Sequence, residues 1–281
     1  MVLRRRNLPA GWYPDDAESV GRLVSSWAAQ ETPPVGAVAA VAPHAGWAFS
    51  GMIAARAIAS LREAETIVVI GGHLPATAMP LAAYEDAYET PLGAVEADSA
   101  LREELSRLLA ALPSGALALR SDDVPDNTVE IQLPIVKARF PGSKALWLRA
   151  PNGPAAMALG EAVAGAGRSL GRKVACLGST DLTHYGPAYG FSPAGHGQRA
   201  ESWARDVNDK GFIDALLAMD GHEVLRRGED DQSACSCGAA AAALAFAKAS
   251  GASRAELLGY ASSLDLRKDE SFVGYAAVGF Y

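Results

Sequence analysis

The sequence predicts an α/β fold, a single doubly wound domain over residues 1–281 with a mixed, mainly parallel central sheet. Three observations carry that prediction. Apolar strand-like runs alternate with helical patterns along the chain, as βα units require. The clearest run, Thr66 to Ile70 (TIVVI), is short, continuous and β-branched, which suits a strand buried on both faces. The helical stretches are rich in alanine and glycine, which favours close packing of helices on a sheet.

Taken in order, residues 1–36 hold an aromatic turn at Gly11–Asp16 and a helix from about Ala17 to Ala29, closed by Glu31 to Pro34. A strand at 37–42 runs into Pro43-His44-Ala45-Gly46. A helix follows from about Gly51 to Leu61, with Ser50 as its N-cap. Thr66–Ile70 ends in Gly71-Gly72-His73. Residues 80–96 read as a β-hairpin, Asp98–Leu112 as a helix with an acidic cap, and Pro113–Arg120 as a return to the sheet. A helix opens at Asp126–Pro134, where an early proline costs least. Lys144–Leu148 and Lys173–Leu177 are strands around a helix at 153–170. The second strand enters Gly178–Gly186. Residues 197–218 form one amphipathic helix, 221–227 a short one, 228–232 an acidic loop, and Cys237-Gly238 opens an alanine-rich helix to about Ala249. Strands near 256–262 and 273–280 close the chain.

Composition narrows the function. The 281 residues carry a net charge of −7 without a basic block, which argues against nucleic-acid binding. Arg4, Arg5 and Arg6 are not followed by a signal-peptide core, and no run approaches the ~20 apolar residues of a membrane span. Three cysteines, an odd number without scaffold spacing, fit a reducing, cytoplasmic compartment.

The chemistry concentrates where strands stop. Of five histidines, His44, His73 and His184 each end a strand pattern beside a glycine, while His196 and His222 fall in or beside surface helices. Ligands in open α/β sheets bind outside the carboxyl ends of the strands. Imidazole there serves as metal ligand or general acid/base. Cys237 begins a helix, where the macrodipole favours thiolate. Cys176 sits mid-strand as a small hydrophobe. Cys235 is a second thiol, in a spacing that is no zinc signature. Asp181 is either an orienter of an imidazole or a turn cap. Glu130 sits near the start of its helix and is placed at the same edge. Trp12, Trp47 and Tyr185 are either stacking platforms or core.

These segments resemble one family. PAGWYPDD at 9–16 resembles the AGxFYP opening of Memo proteins, and PHAGWAFSG at 43–51 resembles their PHAGYxYSG. Gly71-Gly72-His73 resembles a strand-end histidine motif, STDLTHYG at 179–186 resembles SSDLxHYG, and Cys237-Gly238 matches a CG at a helix start. In prokaryotes the family is also called AmmeMemoRadiSam system protein B. The resemblance implies a LigB-like fold, similar to the class III extradiol dioxygenases. It implies a single metal ion on His44, His73 and Cys237, Fe(II) first with Cu or Zn as alternatives, and His184 with Asp181 as the acid/base pair. It also implies radical-SAM and AMMECR-type partner proteins, a small-molecule substrate of unknown identity, and links to redox signalling and phosphotyrosine peptides. Asn127 departs from the pattern, standing where the family usually has a histidine. A thiolate in place of the dioxygenase glutamate makes copper and zinc more competitive with iron. Three functions follow: a non-haem metal-dependent oxidoreductase, a metal-free thiol enzyme using Cys237 and His184, or a non-catalytic adaptor on a dioxygenase-like scaffold.

Overall fold

The computed structural model of the protein describes residues 1–30, 33–112 and 117–281. Parts of the expected Glu31–Pro34 closure and the Pro113–Arg120 return lie outside the described residues. The chain runs β1 (Leu3–Arg4), α1 (Ala17–Gln30), β2 (Ala39–Ala42), α2 (Trp47–Ser60), β3 (Thr66–Leu74), β4 (Leu81–Ala82), β5 (Ala87–Tyr88), β6 (Val95–Glu96) and α3 (Ser99–Ala110). It continues with β7 (Arg120–Ser121), α4 (Asn127–Glu130), α5 (Leu133–Arg139), β8 (Lys144–Pro151), α6 (Ala155–Ser169), β9 (Val174–Ser179), β10 (His184–Tyr185) and α7 (Gln198–Trp203). After a π-helical turn, Ala204–Asp209, come α8 (Lys210–Leu217), α9 (Gly221–Asp230), α10 (Cys237–Ala249), β11 (Ala255–Ser262) and β12 (Phe272–Phe280).

The main sheet is mixed. Its centre, β2-β9-β3-β8, is parallel throughout. Antiparallel pairs extend it at both sides, β12 on β2 and β4 on β8. Alternate residues feed two cores. Val68, Ile70, Leu146 and Cys176 face α3, α6 and α10, whereas Ile67, Val69, Trp147 and Leu177 face α1, α2 and α5. Period-2 side-chain alternation thus clothes both faces with helices. Helix α10 is the deepest: every residue from Cys237 to Ala247 is buried. Small residues make that possible, since a Cβ on Gly178 would stand 2.5 Å from the Ala239 carbonyl oxygen.

Several expectations change in detail. Helix α2 starts at Trp47, with Gly46 rather than Ser50 at the N-cap. Trp12 carbonyl accepts the Trp47 N–H at 2.8 Å, and Ser50 Oγ instead donates to the Ala45 carbonyl at 3.0 Å. The expected hairpin is confined to β5 and β6. The expected single helix over 197–218 is broken by the π-turn, and α9 runs on to Asp230. Glu130 turns away from the imidazole edge. Its carboxylate accepts the backbone N–H groups of Asn7 and Leu8 and the Tyr13 hydroxyl, which fastens the N-terminal segment across the sheet end. Among the described residues, no helix is long and apolar enough to cross a membrane.

Candidate metal centre

Three parallel strands end at one edge, and the loops beyond them converge. His44 follows β2, His73 closes β3, and Asp181 and His184 follow β9. Cys235 arrives from the opposite direction, on the connection between α9 and α10. Ligand atoms of His44, His73 and Cys235 all lie within 4.8 Å of one another. The Cys235 sulfur is 3.2 Å from His44 Nε2, and the two imidazole rings meet edge to face at 5.0 Å. His184 stands beside them with its Nε2 buried and without a hydrogen-bond partner. The Asp181 carboxylate is 3.8 Å from that nitrogen, an electrostatic contact too long for a hydrogen bond.

Cys237 is not in this cluster. The thiol expected among the ligands is fully buried in the core at the start of α10, against α9, where a Cβ on Gly228 would overlap its side chain. Burial, then Glu229 and Cys235 nearby, push its pKa up to about 12, so the helix-terminal effect does not yield a thiolate. Cys235, two residues earlier and half-buried, takes the position instead. Burial alone would raise its pKa, but the His44, His184 and His73 imidazoles outweigh burial and hold it well below the usual thiol range.

Each imidazole is held from behind. His44 donates its backbone N–H to Asp181 Oδ1 at 2.6 Å, and its Nδ1 lies 3.2 Å from Ser179 Oγ. Gln132 donates to that same hydroxyl at 3.0 Å. His73 Nδ1 is 3.0 Å from Asp126 Oδ2, and its backbone N–H donates to Ser236 Oγ. Arg149, 5% exposed, braces this corner. It donates to the Gly72 carbonyl at 2.9 Å and pairs with Asp126 and Asp122 at 3.2 Å each. Burial opposes protonation of His44, yet Cys235 and Asp181 raise its pKa. The same contest, won by Asp126 and Cys235 for His73 and by Asp181 and Cys235 for His184, pushes both up to about 10.

His73 adopts φ +58, a left-handed conformation rare outside glycine. The neighbouring glycines explain how the chain fits. A side chain at Gly71 would overlap Thr128, and one at Gly72 would overlap Ser236. Farther back, the π-turn lodges Asp209 under the His184 loop. Its carboxylate accepts the Thr183 N–H at 3.0 Å, the Thr183 hydroxyl, and the Tyr260 hydroxyl at 2.8 Å.

A cavity of about 660 Å³ opens over the imidazoles, walled by Trp12, Phe49, Tyr189 and Tyr275. Asn127 lines it and donates to the His44 carbonyl at 3.0 Å. Trp47 and Tyr185 are core, the indole donating to the Ile131 carbonyl and the phenol ring stacked on Phe272. Of the three aromatics singled out in the sequence, Trp12 is the one that reaches the cavity. His196 and His222 are exposed on the surface, away from it.

The donor set fits a metal ion: two imidazole nitrogens and an acidified sulfur, carried on three separate segments and oriented from behind. An α/β domain with a ligand-type cluster at the strand ends is the class that fold and site define. The chain belongs to the Memo-like protein family, whose sequence profile matches residues 4–279. A MEMO1 family protein of Methanococcoides burtonii is 33% identical over 98% of this chain and 99% of its own length. MEMO1 family proteins of Pyrococcus furiosus and Archaeoglobus fulgidus are each 30% identical, over 99% of this chain and 98% and 99% of theirs. The crystal structure of uncharacterized protein JW3007 from Escherichia coli K12 shares the fold, with TM-score 0.55 and 15% identity over 85% of this chain and 98% of that one.

Proposed function

We propose that this Memo-like protein is a metal-dependent oxidoreductase that holds one Fe(II) ion on His44, His73 and Cys235. The observation that supports it is the convergence of those three donors within 4.8 Å. Copper and zinc compete for the same ligands because the thiolate is soft. When bound, the ion supplies Lewis acidity and one-electron chemistry beside the cavity.

The chain's own groups do the rest. Asp126 on Nδ1 of His73 and Ser179 beside Nδ1 of His44 leave each Nε2 free to face the cluster. His184 holds or moves a proton at the cavity wall, with Asp181 stabilising its charged form. Trp12, Phe49 and Tyr189 form apolar and aromatic walls that favour a flat organic substrate.

The test is metal content of protein purified without oxygen, wild type beside Cys235→Ser and Cys237→Ser. Wild type and Cys237→Ser should carry near-stoichiometric iron, and Cys235→Ser should lose it. Equal content in all three, or none that can be loaded, overturns the assignment.

A further inference from the structure

The cluster is reached from two sides. The 660 Å³ cavity exposes His44 and His73 but not Cys235. A separate cleft of about 300 Å³ exposes Cys235 but neither of those imidazoles. His184 and Tyr189 line both, and their rings, 4.8 Å apart, form the wall between them. The two spaces differ in chemistry. Asp181, Arg267 and Asp269 face the larger one. The smaller, bounded by Leu182, Phe191, Gln232 and Ala234, has no Asp, Glu, Lys or Arg in its lining.

We propose that this cleft is a second entrance, through which a small electrophile reaches the Cys235 sulfur independently of the organic substrate in the larger cavity. The inference rests on the proposed site only in taking Cys235 as its thiol. It does not depend on a bound metal. Tyr189 is suited to the partition: it is 46% exposed and sits on a single helical turn between Gly186 (φ +110) and Gly190 (φ +66).

Iodoacetamide is the probe. The Cys235 thiol gives up its proton to solvent, its sulfur attacks the methylene carbon, an S–C bond forms, and iodide leaves with the electrons of the C–I bond. Full-length protein is treated with chelator, its residual metal is measured, and alkylation of each cysteine is followed by peptide mapping. Cys176 and Cys237, both buried, report any unfolding. Gln232→Trp at the cleft mouth and Ala234→Leu inside it should each slow alkylation of Cys235 about tenfold, because access limits thiol reactivity. Ala10→Trp, at the rim of the larger cavity, should leave the rate within about twofold on the same reasoning.

If Ala10→Trp slows the reaction as much as the cleft variants, or if neither cleft variant slows it, there is one entrance and the proposal fails. Failure of metal binding shows in the metal measurement and leaves the alkylation pattern intact.

Discussion

Cys235 and Cys237 flank a single serine and live in opposite surroundings. Cys235 faces three imidazoles at a polar sheet edge, and its thiol is acidified. Cys237 faces Gly228 in the alanine-rich interior, and its thiol stays protonated. The sequence distance is two residues, while the two thiols are shifted in opposite directions. Charge partners decide the first case and desolvation the second. A helix start is therefore a weak sign of thiolate when the helix is buried end to end.

That contrast makes the polar edge the more vulnerable side. Arg149→Met should lower unfolding stability by about 3 kcal/mol, since it takes the buried guanidinium from Asp122 and Asp126 and leaves them only Arg4, the Trp147 indole and His73. The milder Asp126→Asn should weaken metal binding about 10–100-fold by removing the carboxylate behind His73. Urea unfolding and metal titration read the two effects. An Arg149→Met protein as stable as wild type would show that the edge is not held by this pair.

The core side should respond through packing alone. Gly228→Ala should cost about 2–3 kcal/mol, because a new Cβ overlaps Cys237 between two helices. Its metal affinity should be unchanged. Lost affinity with intact stability would mean that the two thiols are coupled and the contrast is not sharp.

The smallest effect lies between the two regions, at Asp209. Burial raises its pKa from the ordinary 3.8 to about 6, against the lowering influence of Thr183, Tyr260 and His184. The raised value means the fold favours the protonated carboxyl. Its contribution is fully present below about pH 4 and is lost as pH rises through about 6, on the order of 1–2 kcal/mol. Asp209→Asn should flatten that part of the stability curve, read as urea midpoints across the window. An unchanged pH profile would place Asp209 outside the titration.

Much of this was legible in the residues. TIVVI at the sheet centre, the alternation of strands and helices, and the strand ends at His44, His73 and His184 all follow from local pattern. The choice between Cys235 and Cys237 was not legible. It depends on how four residues, Ser233 to Ser236, approach the helix, and no periodicity fixes that. Arg149 lies in an apolar strand, KALWLRAP, and its partners come from residues 72, 122 and 126, so the brace is a tertiary fact. Glu130 was placed at the right sheet end but serves the N-terminal segment, a role that only the fold reveals. In the π-turn at 204–209 the polar Asn208 and Asp209 are buried while the apolar Val207 is exposed, the reverse of what an amphipathic reading of the segment expects.

The left-handed backbone at His73 bears on how such a site can be lost. An imidazole there holds a torsion that costs on the order of 1 kcal/mol or more, against almost nothing for glycine. While the proposed metal chemistry is under selection, that cost is maintained. Once selection relaxes, replacement by glycine removes a proposed ligand and relieves the backbone in the same step. Drift therefore has a downhill direction at this position, and a descendant that kept the fold but abandoned the chemistry would shed this histidine early.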